Sequence, residues 1–121
     1  MKKIIKDLEY FKPIEKENFV EIKLPVAIKI YKSCLLLRII PMKDGFAISD
    51  DGFTFYDFNE DSKYYFDLFI EKDENYHYDI KLKDNFIYKK YPSNFNINIA
   101  INEFVRFFIN LDDFIKKNNI T

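Results

Sequence analysis

Two adjacent aspartates in the stretch GFAISDDGFTFYDF, Gly45 to Phe58, are the residues best placed to do chemistry. Paired carboxylates offer hard oxygen ligands to a divalent cation, as in metal-dependent nucleases, so Asp50 and Asp51 are candidate metal ligands. Downstream, YDIKL sets Asp79 and Lys81 at the acid-x-lysine spacing that puts both on one strand face. The DDG tripeptide also has a structural reading. In a tight turn Asp bonds its own backbone, and Gly52 supplies a positive φ before Phe53 restarts a strand that carries Thr54. In restriction-type nucleases the acid-x-lysine pair lies on the strand beside the first acid, whereas here a strand and a helix are predicted to intervene. Alternating charge on a solvent face explains DIK, and EIK at Glu21 to Lys23, equally well. The turn is the reading adopted.

Other reactive side chains are sparse. His77 is the single histidine, set between Tyr76 and Tyr78, and has no partnered Cys or Ser with which to build a nucleophilic triad. Ser33, Ser49, Ser62 and Ser93 sit where turns or caps want serine. Gly45 and Gly52, the two glycines, form no phosphate loop. Cys34, the single cysteine, excludes an internal disulfide and a thiolate cluster, and reads as a small buried hydrophobe. No catalytic, metal or cofactor-binding residue is assigned, and no cofactor is implied. The chain does hold 23 Phe and Tyr residues, and YHYDIKL with FIYKKY interleaves Tyr76, Tyr78, Tyr88 and Tyr91 with Lys81, Lys83, Lys89 and Lys90. Such a hairpin is a candidate base-stacking platform or a protein contact. The competing reading buries half of these rings and uses Lys89 and Lys90 to guard an edge strand.

Elements must position these groups. Ile4, Ile5, Leu8 and Phe11 predict a helix over about Lys2 to Phe11, stopped by Pro13. NFVEIKLP alternates as a half-buried strand ended by Pro25, which IKIYKS extends or pairs with. CLLLRIIP predicts a more buried strand entering a hairpin whose Gly45 supplies a positive φ, with FAIS returning. FTFYDF completes a three-stranded meander. Asp61 or Ser62 caps a short helix with Tyr65, Leu68 and Phe69 on one side and Phe66 and Ile70 on its flank. A hairpin turning at Lys83-Asp84-Asn85 follows. From about Phe95, Ile97, Ile101, Phe104, Val105, Phe108, Leu111 and Ile115 recur at steps of three and four, which predicts a long helix. Ala100, Phe107 and Phe114 lie on a second side, so this helix meets a sheet and one further surface, for which the N-terminal helix through Ile4, Leu8 and Phe11 is preferred as cover over a dimer or inhibitor interface.

This order, and above all ISDDGFTFYDF, resembles a bacterial and phage domain of unknown function with a DDG-aromatic-T turn. VEIKLP and the closing AINEFVRFFINLDDF extend the likeness from about Phe19 to Phe114. PVAIKIYKSC departs from it by lacking acidic residues. The resemblance implies an α+β fold and occurrence on prophages and mobile elements, and implies no reaction.

At 121 residues and 48% hydrophobic the chain fits one domain, residues 1–121, around one core. Its 19 basic and 20 acidic residues give a net charge of -1, so no global field favours nucleic acid or an anionic membrane. Lysine outnumbers arginine 17 to 2, as an A/T-rich coding sequence produces. MKKIIKDLEYF lacks the apolar run of a secretory signal, and CLLLRII is too short to cross a bilayer, so a cytoplasmic protein is expected. The combined expectation is an α+β domain with an antiparallel sheet of five or six strands, a short middle helix, a long C-terminal helix packed on it and an N-terminal helix. It is read as a non-enzymatic interaction protein, a monomer in preference to a homodimer, that inhibits a host or defence-system protein such as a CRISPR component. A metal-dependent nuclease or its remnant centred on Asp50 and Asp51, and a single-strand-binding module using hairpin 76–91, are the alternatives, with nucleic acid disfavoured as a direct ligand.

Overall fold

The computed structural model describes residues 13–28, 33–51, 62–71, 78–84 and 86–117. The N-terminal helix, Gly52, Thr54, the strand over Phe53 to Phe58, Tyr76 and His77 lie outside them. Six strands, β1 (Ile14–Glu15), β2 (Val20–Ile28), β3 (Ser33–Met42), β4 (Gly45–Ser49), β5 (Lys81–Lys83) and β6 (Phe86–Pro92), form one antiparallel sheet in the order β1-β2-β3-β4-β6-β5. A short helix, α1 (Ser62–Ile70), and a long one, α2 (Ile97–Lys117), complete an α+β fold.

Alternation decides which face of the sheet is the core. Val20, Ile22 and Leu24 of β2, Leu37 and Ile39 of β3, Phe46 and Ile48 of β4, and Ile87 and Tyr91 of β6 are all buried. The register sets Val20 opposite Ile39, Ile39 opposite Ile48, and Phe46 opposite Tyr91, so these side chains share one face. Against it lies α2, whose Ile97, Ile101, Phe104, Phe108 and Leu111 are buried at the predicted spacing. Asn96 starts that helix: its side-chain Oδ1 accepts from the N–H groups of Asn98 at 2.9 Å and Ile99 at 3.2 Å, satisfying two otherwise orphan donors.

The second side of α2 meets α1. Phe107 lies 5.1 Å edge-on from Phe69 and 5.9 Å from Phe66, and Phe114 lies 5.5 Å from Phe69. The N-terminal helix preferred as a cover for this side lies outside the described residues; among them the cover is α1. Phe66, read as flanking, is buried as deeply as a core residue.

Three strand expectations are corrected. β2 does not end at Pro25 but runs to Ile28, with a register shift between Leu24 and Ala27. Proline lacks the N–H a ladder needs, and a bulge is where a strand tolerates it. β4 has no room for a meander neighbour after the DDG, because β3 holds one of its sides and β6 the other. β5 is shorter than the run YHYDIKL suggests: Asp79 takes φ 54, a left-handed conformation that no strand continues through. The predicted turn between β5 and β6 is present, with Lys83 opposite Phe86 and Asp84 at φ 51.

At the β3–β4 hairpin, Met42 pairs with Gly45 across a two-residue loop. Gly45 has a φ of 158, as the positive-φ expectation requires, and a Cβ there would collide with the carbonyl oxygen of Tyr91 on β6. Glycine at this point lets three strands approach.

Candidate functional site

The acid pair ends strand β4, and its two members are used differently. Ser49 pairs with Tyr88, so the next rung matches Asp50 with Ile87. Asp50 donates its backbone N–H to the Ile87 carbonyl at 3.1 Å, as a ladder residue does. The return bond is altered: the Ile87 N–H donates to the Asp50 side-chain Oδ1 at 2.9 Å. A carboxylate oxygen thus stands in for a backbone carbonyl, and the main chain leaves the ladder while β6 keeps its partner. Asp50 is 1% exposed, so an unmatched Ile87 amide here would be a buried orphan.

Asp51 makes the turn. It takes φ 57, which aspartate tolerates better than most residues, and its N–H donates to Ser49 Oγ at 3.0 Å. Its carboxylate lies 2.8 Å from a guanidinium nitrogen of Arg38 on β3. The Arg38 guanidinium sits 4.3 Å over the Phe19 ring, and its Nε, 3.9 Å from Glu21, is buried without a hydrogen bond. Arg38 also pairs with Ser49 across the ladder. The polar side chains at this end therefore hold one another and the strand ends. Asp79, outside any strand, shares no strand face with Lys81, so the acid-x-lysine arrangement is not formed. Among the described residues no three His, Cys, Asp or Glu side chains are grouped to hold a metal ion.

The aromatic and basic residues of the second hairpin divide between two faces. Tyr91 points to the core, stacked on Phe46 at 5.1 Å and beside Phe95 at 4.9 Å. Lys89 points the same way and gives its ammonium to Glu103 of α2 at 3.1 Å, 4.9 Å above the Tyr91 ring. Tyr78 is half-buried with its ring edge-on to Phe107. These three do not form an open platform with Tyr88. β6 lies between β4 and β5, but its pairing with β5 stops at Tyr88, so at Lys89 and Lys90 it pairs with β4 alone among the described residues. Alternation could have placed Lys89 inward with Ile87 and Tyr91, had the register been known. The Tyr91 hydroxyl is itself buried without a hydrogen-bond partner. Burial pushes its pKa far above the ordinary tyrosine range, and the nearby Glu103 carboxylate pushes the same way.

On the opposite, outward face remain Lys81, Lys83, Phe86, Tyr88 and Lys90. The three lysines are exposed, Phe86 is 42% exposed and Tyr88 is half-buried. Phe86, which the sequence reading passed over, faces Lys83 directly, and Tyr88 faces Lys81. Among the described residues no helix is long and apolar enough to cross a membrane. No protein-family model, curated protein or solved structure matches the chain, so its likeness to the DDG-turn domain stands on the quoted residues alone.

Proposed function

We propose that the protein is a non-enzymatic binding module that acts by engaging another protein. What supports this reading is the use of the acid pair: Asp50 completes the ladder to Ile87 and Asp51 neutralises Arg38, so both carboxylates have structural work at the end of β4. A nuclease centre needs such oxygens directed at a shared cation instead. The concrete form we propose is an inhibitor of a host defence protein, for which the resemblance to a phage-borne domain is the ground.

The test joins two measurements. Tagged protein incubated in bacterial lysate is expected to retain one partner stoichiometrically, identified by mass spectrometry and reproduced with purified components. Purified protein with Mg²⁺ or Mn²⁺ is expected to leave single-stranded and duplex DNA intact. Metal-dependent cleavage that disappears in Asp51→Asn, with folding retained, overturns the proposal.

A further inference from the structure

We infer that the outward face of the β5–β6 hairpin is a binding site for single-stranded nucleic acid, independent of the protein-binding reading above. Lys81 and Lys83 of β5 stand opposite Tyr88 and Phe86 of β6, which makes two rungs that each pair a lysine with an aromatic ring. Lys90 continues the row beside Ala47 of β4. Directly opposed side chains on one face have Cβ atoms about 5 Å apart, so a ring and an ammonium in each rung are within reach of one nucleotide's base and phosphate.

Three observations favour this ligand. First, none of the ion pairs among the described residues uses Lys81, Lys83 or Lys90, and all three side chains are exposed. From Lys81 to Pro92 the sequence carries four lysines against the one acid Asp84, a local excess that the balanced total conceals. Second, the arginines, which protein interfaces prefer to lysine, are elsewhere: Arg38 is held by Asp51 and Arg106 lies on α2. Third, the spacing suits an unpaired strand better than a duplex. Phe86 and Tyr88 are two residues apart on one strand, about 6.8 Å, roughly twice the 3.4 Å rise of stacked bases. Bases resting on both rings must be separated from each other, which an unpaired strand permits and a base pair stack does not. Nothing on this face distinguishes one base from another, so recognition is by stacking and phosphate charge.

Fluorescence anisotropy with a labelled oligo-dT of about eight nucleotides, matched to the smaller single-strand sites, tests the site. Saturable binding is expected at low ionic strength, with a log–log salt slope of about -2 for three phosphate contacts. Phe86→Ala is expected to weaken binding about tenfold or more, since one stacked base is lost. The double variant Lys81→Glu, Lys83→Glu is expected to abolish it. Lys116→Glu, at the exposed end of α2, is expected to leave it unchanged. All these side chains are surface groups, and unchanged thermal unfolding confirms that each variant is folded. Absence of binding, equal binding of duplex DNA, equal loss in the Lys116 variant, or displacement by polyglutamate at equal charge concentration each overturns the inference. The last of these would make the face an acidic-protein site.

Discussion

Asp50 and Ile87 exchange one backbone and one side-chain hydrogen bond, so substitutions at Asp50 separate charge from acceptor. Asp50→Ala is expected to cost about 1–3 kcal/mol by orphaning the Ile87 amide, and Asp50→Asn, which keeps an acceptor oxygen, less. Asp51→Asn removes a partly exposed ion pair and is expected to cost about 0.2–1 kcal/mol. Urea titration decides: equal losses for the two Asp50 variants would refute the acceptor role. Tyr91 makes the opposite case, a hydroxyl whose removal helps. Tyr91→Phe is expected to raise the melting temperature, because the orphaned buried group is deleted while the ring stack on Phe46 and Phe95 stays. In the wild type the folded hydroxyl keeps its proton to higher pH than the unfolded one, whose value is 10.0. Above that pH the unfolded state binds fewer protons, so stability falls as pH rises, and Tyr91→Phe is expected to flatten this alkaline loss. That the chain turns at Asp51 was legible from aspartate's tolerance of left-handed backbone. Which carboxylate faces which partner was not, since Ile87 lies 37 residues further along the chain.

The long helix was the most legible element, because its period of three and four needs no knowledge of the partner. Its second face was legible as an obligation to be covered, but the choice of cover depends on tertiary contacts that periodicity does not encode. Phe107, fully buried between Phe66, Phe69, Tyr78 and Phe108, holds that contact. Phe107→Ala is expected to cost about 3–5 kcal/mol by leaving a cavity between the helices. Asn96→Ala, which removes the cap alone, is expected to cost about 1 kcal/mol. Chemical denaturation ranks the two, and a cap variant as damaging as the Phe107 variant would show that α1 contributes little. In the second hairpin, alternation alone left the inward side undecided: Phe86 and Tyr88 compete with Ile87 and Tyr91. The register to β4 settles it, drawing Lys89 toward Glu103.

For the whole molecule, the order of strand-like and helix-like segments announced an α+β architecture, whereas the balanced charge averaged away the way charge is sorted between the two faces of the sheet. If the acid pair is structural, Mg²⁺ or Mn²⁺ has no native-state site to fill there, and neither is expected to raise the melting temperature. A saturable rise in differential scanning fluorimetry would return Asp50 and Asp51 to candidacy as ligands. The sheet also has a history written into its strand order. β2, β3 and β4 follow one another as sequence neighbours, and β5 with β6 is a local hairpin, but β4 and β6 meet only by closing a long excursion of the chain. The two local groups can form quickly, while the seam between them must await loop closure. Trimming the seam with Ile48→Val, whose partner is Lys89, is therefore expected to act mainly by speeding unfolding and to leave the refolding rate nearly unchanged in stopped-flow measurements. The β4–β6 junction is therefore expected to be the last part of the sheet to assemble.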